Sequence, residues 1–303
     1  MRIIRGTEVM SIDHPVFLIF GQPGIGKTSL AYSTHSPLLL DFDQGAHRAA
    51  HRKDTLQITN WADVAELMAH PDVLDPYTTI VCDTAGRCLD VMTADIIRES
   101  PKLGPNGNLS QQGWGTLKTR FRTWTAQLRA LGKDVLLVAH DKEDKDGDTR
   151  IVRPDIVGGS YSEVLKIADF VGYCYMAGKD RVLDFNPTDR WIGKNPANWA
   201  PFKVPPMAKS QDFLADLFDR GRAALGQISE RSAQLTTQVD EWRTAIEAYT
   251  TAEEINTAIP AITPLPPMVA PAVKKLLAAR AKALGLLWNG AAKAFVLPTA
   301  KSA

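Results

Sequence analysis

The chain has 303 residues, 45% hydrophobic and 23% charged, the proportions of a globular protein with a sizeable core. A formal net charge of +1 gives no general attraction to nucleic acid, so such a partner needs a local basic stripe. No apolar run approaches the roughly 18 residues that span a bilayer, Met1–Ser11 has no long apolar segment, and Cys82, Cys88 and Cys174 form neither a disulfide framework nor a C-x-x-C pair; a cytoplasmic protein without a membrane partner is expected.

The first predicted element is the apolar strand Val16–Phe20. It runs into Gly21-Gln22-Pro23-Gly24-Ile25-Gly26-Lys27-Thr28, and with Ser29 the pattern turns helical over Lys27–Ser33. Every fixed position of G-x-x-x-x-G-K-[ST] is filled, between a strand and a helix, which is the context that gives the motif its meaning. Glycines let successive backbone N–H groups turn inward toward phosphate oxygens, and the helix start adds its own free N–H groups. Residues Gly21 to Ser29 are therefore the expected ATP-binding loop. Lys27 is expected to face solvent without ligand and to reach the β- and γ-phosphates, and the Thr28 hydroxyl to hold Mg²⁺.

Further along, Leu38–Phe42 reads as a strand that ends in "DFD". Asp41 and Asp43 lie two apart, on one face, and either is a candidate to orient or deprotonate a water. Trp61–His70 reads as a helix. Thr79–Asp83 is a strand whose terminal Asp83, on a neighbouring strand, is the second expected Mg²⁺ anchor; the alternative is a carboxylate capping the next helix, Arg87–Glu99. Leu117–Leu131 places Leu117, Phe121, Trp124, Leu128 and Leu131 at three- and four-residue steps. Val135–His140 is a strand ending in a polar group, a γ-phosphate sensor or a histidine satisfied by backbone. Wholly apolar strands alternating with helices predict an α/β fold: a mostly parallel, doubly wound sheet with helices on both faces. Val171–Met176 and Val182–Phe185 flank "AGKD" and continue it as a hairpin.

After Asn186 the composition shifts. A Pro- and Trp-bearing irregular connection leads to a polar helical stretch, Gln211–Ala258, with a break expected near Gly226. "PAITPLPP" from Pro260 reads as an extended linker, and Val273–Leu287 as a basic amphipathic helix carrying Lys274, Lys275, Arg280 and Lys282. The expected organisation is a core over residues 1–207, a helical extension over 208–259, a linker over 260–267 and a terminal helix with tail over 268–303.

Phosphate loop, strand-end acid, metal-binding Asp and strand-end sensor, in that order, resemble the RecA-like P-loop ATPase core. "GQPGIGKTSLA", "QQGWGTLKTRFRTWTAQLRALGKDVLLVAHDKED" and "VRPDIVGGSYSEVLKIADFVGYCYM" are similar to phage-encoded AAA-type ATP-binding proteins of the single-strand-annealing recombinase group. The resemblance implies an ATPase in which Lys27, Asp43 and His140 are catalytic, Asp43 standing where the family more often has Glu. It implies a mobile DNA-binding loop over Asp141–Ser160, although "DKEDKDGD" is more acidic than basic. Arg150, Arg153, Trp114, Lys118, Arg120 and Arg122 are the candidate single-stranded DNA contacts; as bare sequence, such charges are more often a solvated face. Ring or filament assembly is implied too, with Arg190 or Lys194 completing a neighbour's site, and the C-terminal helices are expected to dock a protein partner. Three functions stay open: a DNA-stimulated recombination ATPase, an ATP-driven motor or remodelling protein, and an ATP-gated adaptor.

Overall fold

The computed structural model describes residues 3–146, 149–157, 160–206 and 209–298. They fall into two compact units: Ile12–Leu225, and the remaining residues from the two ends of the chain.

The first unit is built on a nine-stranded sheet. In chain order its elements are β1 (Val16–Gly21), α1 (Lys27–Ala31), β2 (Pro37–Asp41), β3 (Thr55–Gln57), α2 (Trp61–Ala69), β4 (Thr79–Asp83), α3 (Ala85–Glu99), α4 (Gln111–Ala130), β5 (Asp134–Asp146), β6 (Thr149–Pro154), α5 (Ser160–Ile167), β7 (Phe170–Ala177), β8 (Asp180–Asp184), β9 (Phe202–Val204) and the start of α6 (Phe213–Ala248). The strand order is β3-β2-β4-β5-β1-β7-β8-β9, with β6 paired to β5. Pairing is parallel from β3 to β7 and antiparallel from β7 to β9, so the expected mostly parallel sheet is present. The P-loop strand and the Asp83 strand are not neighbours: β5 lies between them and pairs with both.

Both faces of the sheet are covered, which is why its central strands carry no polar alternation. Val16, Leu18 and Phe20 face one cluster with Leu117, Phe121 and Leu128 of α4 and Leu89 and Met92 of α3. Phe17 and Ile19 face the other, with Leu30 of α1 and Leu214, Leu217 and Phe218 of α6. Phe17 packs on Phe170 and Phe218 with ring centroids 4.6 and 4.3 Å away.

Several boundaries differ from the sequence reading. Helix α4 begins at Gln111, where the Ser110 hydroxyl caps it by accepting from the Gly113 amide; Gly113 in this first turn lies too close to Leu103 and Leu109 to carry a side chain. Strand β5 does not end at His140. It continues into a hairpin with β6, register Asp141↔Pro154 to Asp146↔Thr149, where a mobile loop was expected. Gly147, Asp148, Gly158 and Gly159 of that segment lie outside the described residues. The irregular connection after Asn186 yields a further strand, β9, with Trp199 stacked on Phe170 at 4.7 Å. Helix α6 is unbroken at Gly226, and the division between the units falls within it.

In the second unit, α7 (Ala252–Ile262) and α8 (Ala270–Ala283) pack around Ile255, Ile262, Val273 and Leu277. The Pro260–Pro267 stretch is helix and turn rather than an extended linker. Pro260 occupies the last turn of α7, and burial of Ile262 and Val269 holds the turn that follows. The terminal helix stops at Ala283 instead of Leu287, since Gly285 takes φ +73°. A hairpin of β10 (Leu287–Asn289) and β11 (Ala294–Val296) follows, tied by Asn256 to the backbone of Phe295 at 2.7 and 2.9 Å. Met1, Arg2, Met207, Ala208 and residues 299–303, part of the expected domain spans, lie outside the described residues.

Candidate nucleotide site

Sheet register sets the level of the site. Gly21 at the end of β1 pairs with His140 on β5, and Asp41 on β2 pairs with Asp83 on β4, so four strands deliver their functional residues to one edge. Beyond that edge is a cavity of about 460 Å³, within the usual size range of small-ligand pockets. Its walls are Pro23, Gly24, Gly26 and Lys27–Ser29 from the loop and α1, Asp43, Gly45, Arg48 and Ala49 from the segment after β2, and Asp83 and His140. Gly21, Gln22 and Ile25 do not line it: Ile25 is buried beneath the loop, and Gly21 and Gln22 offer their carbonyls to Lys27.

The loop's curl depends on two glycines in left-handed conformation, Gly24 at φ +79° and Gly26 at φ +93°. A Cβ at Gly24 would meet nothing, so that position is open toward a ligand. At Gly21 a Cβ would stand 2.2 Å from the Cys174 carbonyl oxygen, so this glycine is demanded by β7 packing rather than by a ligand.

Lys27 corrects an expectation. It is only 5% exposed; its Nζ donates to the Gly21 and Gln22 carbonyls at 2.7 and 2.9 Å and stands 3.4 Å from His140 Nδ1. Burial pushes its pKa down, against the opposing pull of Asp83, Asp141 and Asp43. The carbonyls hold the ammonium where a phosphate would otherwise receive it.

Asp83 is buried, and the Thr28 hydroxyl donates to its carboxylate. Burial first, then the nearby Asp41 and Asp43 carboxylates, lift its pKa to about 6 against Thr28 and Lys27. A buried carboxylate in this condition gains from a cation, and the two oxygens Mg²⁺ would use are already adjacent, so the pair fits the ion. Among the described residues no cluster of three or more His, Cys, Asp or Glu is arranged to hold a metal by itself, so further ligands must come from nucleotide and water.

The structure separates the two acids after β2. Asp41 is 1% exposed, and its carboxylate oxygens accept from the Gly45 and Ala46 amides, both at 3.0 Å. It holds the loop. Asp43 lines the cavity, with Oδ2 3.6 Å from His140 Nε2 and Oδ1 3.5 Å from Arg87 Nε. Arg87, from α3, also pairs with Asp90 at 3.1 Å. The sequence offered no signal for Arg87, nor for Arg48, which also lines the cavity.

The other candidates are elsewhere. Arg150 pairs with Glu143 at 3.4 Å and Arg153 with Asp144 at 2.7 Å, both within the hairpin. Lys118 pairs with Glu163 at 3.0 Å, and Arg120 with Asp95 and Glu99 at 2.6 and 2.5 Å. Trp114 packs on the core, and Arg122 has no ion pair among the described residues. Lys194 Nζ donates to the Ala168 carbonyl at 2.5 Å; neither it nor Arg190 lines the cavity. Lys274, Lys275 and Lys282 lie on α8, and Arg280 there donates to the Tyr249 carbonyl at 2.8 Å.

A parallel sheet with a glycine-rich loop between β1 and α1, a lysine and threonine at its end, and an acid on β4 is the architecture of a P-loop nucleotide-binding ATPase. The family model of the AAA domain matches residues 13–197, more than half of the chain, and the protein belongs to that family. Members of the family generally hydrolyse nucleotides. No curated protein matches the chain. Among the described residues no helix is long and apolar enough to cross a membrane.

Proposed function

We propose that the protein is an Mg²⁺-dependent ATPase that acts with single-stranded DNA in phage-type recombination or annealing. The observation that carries the ATPase reading is the cavity where Lys27, Thr28, Asp83, Asp43 and His140 converge from four strands of the sheet. In this reading the loop amides and Lys27 bind the phosphates, and Thr28 and Asp83 hold Mg²⁺, which would neutralise charge on the phosphate oxygens. Asp43 takes the proton of the attacking water, and His140 orients both water and acid. Support for DNA comes from the likeness of the three quoted stretches to annealing-recombinase ATPases. Assembly as a ring or filament, a protein partner for the C-terminal helices and a cytoplasmic setting belong to the same reading.

A second reading, an ATP-driven motor or an ATP-gated adaptor, is favoured by the ion pairs. Lys118, Arg120, Arg150 and Arg153 are each matched with an acid, so DNA would have to displace those acids. ATP hydrolysis measured with and without single-stranded DNA, over a Mg²⁺ titration and at two salt concentrations, decides between them. Mg²⁺-dependent turnover that disappears in Lys27→Ala and rises with DNA supports the proposal. Salt-sensitive DNA binding, with a slope of about −0.7 per phosphate neutralised, adds to it. Turnover without stimulation supports a motor, and tight binding without turnover an adaptor. Normal turnover in Lys27→Ala refutes the phosphate-loop assignment.

A further inference from the structure

The wall of the cavity opposite the phosphate loop is the segment after β2, and it is fastened at two points. Asp41, almost fully buried, takes the Gly45 and Ala46 amides on its two oxygens and so fixes the start of a single 3-10 turn, Ala46–Arg48. Just beyond that turn, the Ala50 amide donates to the Ser29 hydroxyl at 2.9 Å, which ties the segment to α1 one residue past Thr28. Between these fastenings stands Arg48. Its side chain lines the cavity with Lys27, Thr28, Asp43 and Asp83. It folds back over Gly45, where an added Cβ would lie 2.7 Å from Nη2 and 3.8 Å from Asp43 Oδ2. The guanidinium is thus on the same side of the cavity as the proposed water-activating acid.

Arg48 forms no ion pair among the described residues, although the site is rich in carboxylates. Asp43 is served instead by Arg87 and His140, and Asp41 by backbone amides. The chain therefore holds a guanidinium on the wall of an anion pocket with its fork of donors free of any ion pair among the described residues. That fork matches the oxygens of a phosphate, and a guanidinium is always charged. A buried carboxylate spent on fixing three residues of loop is accounted for if the loop's task is to hold this side chain.

We propose that Arg48 binds the phosphate chain of the nucleoside triphosphate from within the same chain, positioned by Asp41 and Ser29 through the loop between them. The proposal rests on the nucleotide-site reading above. It supplies in cis the cation for which Arg190 or Lys194 of a neighbouring subunit was expected. Charge that develops on the transferred phosphoryl group then meets Lys27 from the loop side and Arg48 from the β2 side.

The test uses the full-length protein and three variants: Arg48→Ala, Arg48→Lys and, as a control on the site itself, Lys27→Ala. Steady-state kcat and KM for Mg·ATP are measured together with calorimetric affinities for ADP and a non-hydrolysable ATP analogue, and with the melting temperature. The expected result is a fall in kcat of about 10²-fold or more in Arg48→Ala, with an unchanged melting temperature. Nucleotide affinity falls too, and Arg48→Lys recovers affinity better than rate, because a point charge replaces the fork. A kcat within twofold of wild type in Arg48→Ala, while Lys27→Ala is inactive, overturns the Arg48 proposal and leaves the nucleotide site standing. A rate loss that tracks a lowered melting temperature and is equal in Ala and Lys variants overturns it as well, since that is the mark of a packing role. Full activity in Lys27→Ala instead removes the reading on which it rests.

Discussion

The Asp43 carboxylate and the His140 imidazole face each other across the cavity, Oδ2 to Nε2 3.6 Å, and His140 Nδ1 stands 3.4 Å from Lys27 Nζ. The imidazole thus bridges the proposed acid and the phosphate-loop lysine. Asp43→Asn keeps this shape and removes the basicity. It is expected to lower kcat by about 10²- to 10⁴-fold while sparing affinity for ATP. Single-turnover kinetics beside equilibrium binding checks this; a parallel loss of binding would assign Asp43 to phosphate contact instead.

Asp41→Asn should behave differently. The amide can accept from only one of the Gly45 and Ala46 N–H groups, and its NH₂ would face the other. A buried donor left unpaired costs about 1–3 kcal/mol, so the expected effect is a lowered unfolding midpoint before any specific loss of chemistry. An unchanged midpoint with greatly reduced turnover would exchange the roles of the two acids.

Asp83 predicts a pH dependence of folding. Its pKa is lifted to about 6 from an ordinary 3.8, so between those values the folded state binds more protons than the unfolded one. The stability this confers is complete below pH 3.8 and is lost as pH rises through about 6. The two-unit difference corresponds to about 3 kcal/mol. In the absence of metal and nucleotide, Asp83→Asn should therefore melt higher than wild type at pH 7–8, and the gap should narrow from pH 6 toward pH 4. The same variant should lose Mg²⁺-dependent turnover. A melting difference that does not vary with pH would contradict the assignment of burial as the cause.

Arg222 should be a large stability determinant remote from the chemistry. It reaches Asp134, which is 0% exposed, at 2.8 and 3.1 Å, and also donates to the Asp13 carbonyl at 2.6 Å. Burial already pushes the Asp134 pKa up in spite of Arg222 and His14. Removing the guanidinium leaves a buried charge without its main partner, a change that costs about 3–5 kcal/mol. Denaturant unfolding of Arg222→Ala at neutral pH measures it, and the loss should shrink under acid conditions that protonate Asp134. A midpoint equal to wild type would show that the pair contributes nothing net.

The parts legible in the sequence were those where one local rule dominates. β1, β2, β4 and the Val135–Ala139 part of β5 are apolar on both faces, and the loop from Gly21 to Thr28 is a fixed pattern, so the mostly parallel sheet and the site edge followed from the residues, while the strand order, with β5 between β1 and β4, did not. What was not legible depends on partners distant in sequence. Lys27 is drawn inward by its own loop's carbonyls, which only the curl reveals. Asp41 and Asp43 look alike as a pair and are told apart by two amides that reach one and not the other. β9 and the C-terminal hairpin are three-residue strands, too short for any alternation to show. Arg150 and Arg153 looked free because their acids sit on the opposite hairpin strand.

The motif's glycines divide into two kinds of genetic constraint. Position 21 is crowded by the backbone of β7, whereas position 24 opens onto empty space with a left-handed backbone. A saturation library scored for yield of folded protein should therefore reject substitutions at 21 outright and penalise those at 24 less, through backbone strain alone. The same library scored for retention on a nucleotide resin should reject both. Loss of function at these two neighbours in one signature would look identical in a growth assay, yet it would arise from sheet packing in one case and from the shape of the ligand's cradle in the other.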